Sequence, residues 1–113
     1  MHELSITQSV LNIAVEHAER AEAERILAIN LVVGELTGFV DDSIQFYFDM
    51  FSPGTLAEGA RLAIRRVPAR IRCRVCDAEF TLQDSNWLCP DCSAVGGDIL
   101  AGREFLVESI EVE

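Results

Sequence analysis

The sequence predicts an α+β fold in which a small sheet of about three strands packs with two helices and carries an inserted, zinc-ribbon-like domain. Three observations support this prediction: a helical apolar pattern near the start, alternating apolar runs later in the chain, and two Cys-x-x-Cys pairs before the last run. With 113 residues, half of them apolar, the chain can form one modest core and one small metal-stapled unit.

Two helices are predicted from the spacing of apolar residues. The first spans about residues 3–23 and has a wide apolar face that we expect to pack against a sheet. That face consists of Leu4, Ile6, Val10, Leu11, Ile13, Ala14, Val15 and Ala18. The second follows a glycine-containing turn at 34–38, with Asp41 or Asp42 as its N-cap and Ser52-Pro53-Gly54 at its end.

Strands are predicted at residues 25–33, at 61–67 before Pro68, and in the last ten residues. Both faces of the first run are largely apolar, so we expect its second face to be covered by another element, a subunit or a partner. In the last run a β-bulge near Ser109 would bring Phe105, Val107 and Ile110 to one face. Since this run is expected to rejoin the first sheet, the predicted domains are 1–68 with 103–113, and an insertion at 69–102.

All four cysteines lie within residues 73–92, in two Cys-x-x-Cys pairs separated by twelve residues: Cys73, Cys76, Cys89 and Cys92. Two such loops, joined by a hairpin with arms at 79–82 and 86–88, can place four thiolates at the corners of a tetrahedron. This arrangement is typical of a closed structural zinc site. Because four protein ligands leave no open position, we expect the site to build structure and not to catalyse a reaction.

Other interpretations of the cysteines remain. Two disulfides would require an oxidising compartment, whereas the start of the chain lacks a secretory signal and a cytoplasmic location is expected. A redox-active pair would need only one Cys-x-x-Cys beside a βαβ unit. Iron is an alternative metal, since Cys89-Pro90-Asp91-Cys92 resembles a rubredoxin loop.

The amino terminus, Met1-His2-Glu3, forms a second candidate metal site. The Met1 amine, the His2 amide and the His2 ring nitrogen can close adjoining chelate rings, and the fourth ligand would be the next amide or the Glu3 carboxylate. Nitrogen-rich planar ligation suits Ni(II) or Cu(II). The simpler interpretation is a frayed terminus with an incidental histidine.

The net charge of −10, with nine arginines and no lysine, opposes nucleic-acid binding. Six arginines cluster, either as a docking patch for an acidic partner or as the solvated face and linker of a strand: Arg61, Arg65, Arg66, Arg70, Arg72 and Arg74. No long apolar run predicts a membrane span. No nucleophile is placed beside either histidine, so we do not predict an enzyme.

Several stretches together resemble the HypA family of nickel metallochaperones, which help to mature [NiFe]-hydrogenases and, in some organisms, urease. These are Met1-His2-Glu3-Leu4-Ser5, LVVGELTGF (31–39), EGARLAI (58–64), the two cysteine pairs and SIEVE (109–113). The chain departs from the family at Asp41-Asp42, where a proline and a glutamate are common.

The resemblance implies a helix-and-sheet nickel domain with an inserted zinc domain. It implies His2 as the key nickel ligand, with Met1 and Glu3 beside it, and the four cysteines as zinc ligands. The implied partners are the GTPase HypB, the hydrogenase large subunit precursor and a second copy of the chain.

Two rival functions remain: a zinc-ribbon interaction module in nucleic-acid metabolism, and a small electron-transfer protein with iron at the four cysteines. Both leave His2 unexplained.

Overall fold

The computed structural model describes residues 3–83 and 86–113. Its elements are α1 (Glu3–Arg20), β1 (Ile26–Gly34), a short 3-10 helix (Glu35–Thr37), α2 (Asp41–Phe51), β2 (Arg61–Val67), β3 (Arg70–Arg72), β4 (Glu79–Thr81), β5 (Asp98–Ala101) and β6 (Phe105–Val112). We call α1, α2, β1, β2 and β6 the helix-and-sheet region, and the part with β3, β4, β5 and the cysteines the cysteine region. The predicted α+β fold is confirmed.

The helix-and-sheet region is built on a three-stranded sheet in the order β2-β1-β6. β1 lies in the middle, parallel to β2 and antiparallel to β6. A parallel pair needs a long crossover, and the segment containing α2 supplies it. From β1, Ile29, Leu31 and Val33 enter a buried apolar core that both helices share. The inward positions of β2, Leu62 and Ile64, pack against this core as expected.

Helix α1 is three residues shorter than predicted and its buried face is narrower. It ends at Arg20 because Glu22 adopts a left-handed backbone conformation (φ 55°), and the N–H of Ala23 then bonds to the carbonyl of Ala18 at 3.0 Å. Leu4 and Ile13 are 42% and 43% exposed, so these two residues are not part of the buried face.

Helix α2 begins without the expected aspartate cap. The N-cap is Val40, whose backbone is extended and whose side chain makes no capping hydrogen bond. Asp41 is instead the first helical residue, and its carboxylate accepts a hydrogen bond from Arg66 at 3.1 Å. The helix ends at Phe51, directly before the predicted Ser52-Pro53-Gly54.

The bulge predicted near Ser109 is confirmed. Asn30 lies opposite Ser109, whereas the next residue, Leu31, lies opposite Val107, so Glu108 is the extra residue in β6. Through this shift Phe105, Val107 and Ile110 all pack against the core.

Part of the second face of β1 is covered within the chain itself, and cover by a subunit or a partner stays a prediction. On this face Ala28 and Val32 are only 2% and 4% exposed. Ion pairs between the flanking strands cover them, Arg61 with Glu111 at 3.7 Å and Arg65 with Glu108 at 2.9 Å. The apolar stems of such long side chains can bury neighbouring aliphatic surface while their charged ends stay in water.

The cysteine region has its own three-stranded sheet, in the order β4-β3-β5. The predicted hairpin is wrong in its pairing: β4 pairs with β3, and residues 86–88 form only isolated bridges, Gln83 with Asn86 and Leu88 with Val95. Strand β5 was not predicted. A strand of four residues is too short to show a clear alternation of apolar and polar side chains.

Within the part of the chain that the structure describes, no helix is both long enough and apolar enough to cross a membrane.

Candidate metal centre

The structure brings the four cysteines together, as their spacing indicated. All four sulfur atoms lie within 4.8 Å of one another, and none is in a disulfide. The Sγ atoms of Cys73 and Cys92 are 3.5 Å apart, and those of Cys76 and Cys89 are 3.6 Å apart. Sulfurs bound tetrahedrally at the usual zinc distance lie about 3.8 Å apart. The arrangement therefore fits one tetrahedral metal ion and gives no support to two disulfides.

The two cysteine loops have the same local backbone structure, residue for residue. In each, the residue four after the first cysteine donates its N–H back to that cysteine's carbonyl, Asp77 to Cys73 at 3.0 Å and Ser93 to Cys89 at 2.9 Å. Both donors adopt the left-handed conformation, with φ of 61° and 65°. Each loop thus turns tightly enough to aim both of its sulfurs at one point.

The residue after each of these donors, Ala78 or Ala94, makes a second hydrogen bond that closes the loop. The N–H of Cys73 bonds to the carbonyl of Ala78, and that of Cys89 to the carbonyl of Ala94, both at 2.8 Å. The first cysteine of each loop is buried and the second is exposed. The site therefore lies at the surface of the cysteine region, and its two buried cysteines belong to the small core of that region.

The thiols of Cys73, Cys76 and Cys92 differ in acidity before any metal binds. Hydrogen bonds from the backbone of Cys76 and Val75 lower the pKa of Cys73 to about 7. A backbone hydrogen bond at Ala78 favours ionisation of Cys76, but burial and the three neighbouring cysteines outweigh it and raise its pKa to about 12. Cys92 also has a raised pKa: a backbone hydrogen bond at Ala94 opposes the rise, whereas the Cys73 side chain and burial promote it. A divalent ion bound as tetrathiolate must displace the protons of Cys76 and Cys92.

Of the predicted amino-terminal site, Met1 and His2 lie outside the described residues. Glu3 is the first residue of α1, and its carboxylate accepts the N–H of Val40 at 3.4 Å. The start of α1 is therefore linked to the N-cap residue of α2, so this end of α1 lies against folded structure.

Sequence reasoning did not single out Arg66, which organises the neighbouring loop. Its guanidinium donates to the Glu35 carboxylate at 3.2 Å, to the Phe39 carbonyl at 3.0 Å and to the Asp41 carboxylate at 3.1 Å. These partners lie 25 to 31 residues away in the chain, so no local signal could have indicated them.

The six clustered arginines are all paired with carboxylates of the chain itself. Besides the pairs of Arg61, Arg65 and Arg66, the ion pairs are Arg70 and Arg72 with Glu79, and Arg74 with Asp98. This favours the interpretation of the cluster as a solvated strand face and linker over that of a patch for an acidic partner.

Comparison with known proteins assigns the chain to a family. A family model described as hydrogenase/urease nickel incorporation, metallochaperone, hypA matches residues 1–112. Proteins named hydrogenase maturation factor HypA from Geobacter sulfurreducens and Dehalococcoides mccartyi are 47% and 46% identical. Each match covers all of this chain, with 100% and 95% of the respective relative.

Solved structures share the fold. The solution structure of the Ni metallochaperone HypA from Helicobacter pylori has a TM-score of 0.67 at 24% identity, covering 99% of this chain and 97% of that one. A second structure, described as the solution structure of HypA protein, has a TM-score of 0.71 and covers 100% of this chain. The chain belongs to the HypA family of hydrogenase maturation factors and nickel metallochaperones.

Proposed function

We propose that this protein binds Ni(II) at its amino terminus and delivers it during maturation of [NiFe]-hydrogenase, with urease as an alternative client. The observation that carries this proposal is the match of a nickel-metallochaperone family model to residues 1–112 of a chain that begins Met1-His2-Glu3.

The proposed nickel ligands are the Met1 amine, the His2 amide and the His2 ring nitrogen. The fourth is supplied by Glu3, through either its amide or its carboxylate. Such a set suits Ni(II), which favours planar nitrogen-rich coordination. Glu3 is in contact with Val40, which would hold the chelate beside the start of α2. Because His2 contributes the only ring ligand, few side chains must move when the ion is released.

A calorimetric titration of nickel into tag-free protein that is already loaded with zinc tests this site. The His2→Ala variant should lose stoichiometric nickel binding and keep its fold. The matched control is His17→Ala, since His17 is the other histidine and is exposed on α1. Nickel affinity that is unchanged in His2→Ala would refute the assignment.

For the four cysteines we propose Zn(II), held by Cys73, Cys76, Cys89 and Cys92 in an inserted domain of residues 69–102. The surrounding domain would comprise residues 1–68 and 103–113. The separate sheet of this region and its separate core of Ile71, Cys73, Phe80 and Cys89 support this division. A colourless protein with one equivalent of zinc is expected, whereas visible absorption from iron–thiolate bonds would favour the electron-transfer alternative.

The proposed partners are those of hydrogenase maturation: a HypB-type GTPase, the hydrogenase large subunit precursor and a second copy of this chain. The proposed setting is the cytoplasm, and the proposed role is delivery of a metal without catalysis. The ion-paired arginines and the charge of −10 argue against the nucleic-acid alternative. Salt-sensitive binding to DNA or RNA would restore that alternative.

A further inference from the structure

Helix α2 presents large apolar side chains to solvent on the side away from the core. Phe46 is 60% exposed and Met50 is 52% exposed, whereas Ile44 and Phe48 of the same helix are buried. Phe46 and Met50 are four residues apart and therefore neighbours on one helix face. Isolated apolar residues are common on protein surfaces, but adjacent large ones indicate a contact site.

Aromatic contacts extend this face back towards the core. The rings of Phe46 and Tyr47 meet edge to face with centroids 5.3 Å apart. Tyr47 stacks in turn with Phe51 at 6.3 Å, and Phe51 packs against the core. Phe46 therefore rests against the Tyr47 ring, which lowers the entropy that Phe46 would lose on binding.

Acidic residues border the apolar residues. Asp42 lies four residues before Phe46 and Asp49 three residues after it, so both carboxylates flank the ring. Asp49 accepts a hydrogen bond from Gln45 at 2.8 Å. Within residues 3–83 and 86–113, neither Asp42 nor Asp49 forms an ion pair, in contrast to Asp41, which is bound by Arg66.

We infer that Asp42, Phe46, Asp49 and Met50, the outer face of α2, form the docking surface for a protein partner that presents an apolar cleft rimmed by Lys or Arg. An amphipathic helix laid in a groove is a common mode of recognition, with anchors at positions i and i+4. The acidic border would steer a basic partner to the site and align it there.

A second copy of the chain does not fit this surface. The sequence has no lysine, and in the described residues eight of the nine arginines are already paired with carboxylates of the same chain. A copy would therefore bring carboxylates, and few available cations, to an acidic face. The partner is accordingly a different, basic protein.

This inference rests on the proposed function, because the partner must be one that exchanges nickel with the chain. Val40 precedes the first residue of α2 and its N–H contacts Glu3. A partner on the outer face of α2 would thus hold the helix whose amino-terminal end adjoins the proposed nickel chelate.

The test is binding of the HypB-type GTPase from the same organism, measured by calorimetry at two salt concentrations. Replacing both anchors (Phe46→Ser with Met50→Ser) should weaken binding at least about thirty-fold, as expected for central interface residues. The matched control, Leu27→Ser with Leu106→Ser, removes side chains of 43% and 46% exposure elsewhere and should leave affinity unchanged.

A second pair of variants tests the charged border. Asp42→Lys with Asp49→Lys should weaken binding at low salt and reduce the salt dependence of the affinity, whereas Glu19→Lys with Glu24→Lys, an equal charge change elsewhere, should have a smaller effect. Wild-type affinity in the Phe46/Met50 variant, no binding by the unmodified chain, or a change in the chain's self-association in that variant would each overturn the inference. Nickel titration of the same variants separates the two claims: normal nickel binding with lost docking is expected, and absent nickel binding in the unmodified chain would refute the proposed function alone.

Discussion

The helix-and-sheet region and the cysteine region are stabilised in different ways. The core of the first contains twelve buried apolar residues in the described part of the chain, ten of them supplied by the two helices and β1. The core of the second contains four, and two of them, Cys73 and Cys89, belong to the cysteine cluster. Burial alone can therefore hold the first region together, whereas so small a core as the second needs a metal or another staple.

The difference indicates how one short chain could accommodate the two proposed metals, which have different roles. An ion that stabilises a fold must be bound by many ligands and kept, as four thiolates would keep zinc. An ion that is delivered must leave without unfolding its carrier. The proposed nickel chelate ends at Glu3, the first residue of α1, and the described core of the helix-and-sheet region does not include any of its ligands.

The largest effect should follow loss of the zinc ligands. Cys73→Ser removes a fully buried thiol from the proposed zinc site, and structural zinc contributes on the order of 10 kcal/mol to the folding of small domains. Hydrogen exchange should show lost protection in residues 69–102 and retained protection in β1 and α2. A variant that kept full zinc occupancy would contradict this prediction, and Val75→Ala, at an exposed position between two cysteines, is the control.

The next largest effect concerns the apolar core. Phe48 is 1% exposed, so Phe48→Ala should lower the free energy of unfolding of the helix-and-sheet region by about 3–5 kcal/mol. Phe46→Ala, two residues earlier on the exposed side, should cost less than about 1 kcal/mol. Chemical denaturation measures both values, and zinc content should not change in either variant. Equal losses of unfolding free energy in the two variants would show that the orientation of α2 is wrong.

A smaller effect is expected where the two regions meet. A Cβ atom at Gly34 would lie 2.1 Å from the carbonyl oxygen of Gly102, which already accepts the N–H of Leu36 at 2.8 Å. Gly34→Ala must separate these backbones and should destabilise the chain by about 2–3 kcal/mol. An unchanged denaturation midpoint would indicate that the two backbones are not in contact.

The smallest effect distinguishes two neighbouring arginines. The Arg66 side chain is 28% exposed and has three hydrogen-bonded partners, so Arg66→Ala should cost about 1–2 kcal/mol. Arg65 has one partner and is 62% exposed, so Arg65→Ala should cost less than about 0.5 kcal/mol. Thermal denaturation should show a larger loss of stability in Arg66→Ala than in Arg65→Ala. The reverse order would argue against the three hydrogen bonds of Arg66.

Local patterns predicted the longer elements well. Strand β2 has the predicted bounds, and the parity change within the last ten residues correctly indicated the bulge near Ser109. The conformation of each Cys-x-x-Cys loop is organised by bonds within six residues, and the paired spacing correctly predicted that the two loops gather their cysteines at one point.

Features that depend on distant residues were not predictable. The expected cap at Asp41 or Asp42 is wrong because the helix already begins at Asp41, with Val40 as N-cap, and Arg66, 25 residues later, binds the Asp41 carboxylate. The pairing of the arginines follows from strand register, which places Arg61 and Arg65 beside the carboxylates of β6 across β1. Strands of three residues, such as β3 and β4, carry too little alternation to fix their partners.

The central claim is that nickel is bound by the amino-terminal chelate. We would test it by titrating nickel into zinc-loaded protein with a free Met1 amine, and into the same protein acetylated at that amine. Acetylation keeps His2 and the fold but removes the amine as a ligand, which opens the chelate ring between the Met1 amine and the His2 amide. We predict stoichiometric binding to the protein with the free amine and a loss of at least about a hundredfold in affinity, roughly 2.7 kcal/mol, in the acetylated one. Equal nickel affinity in both proteins would contradict the account.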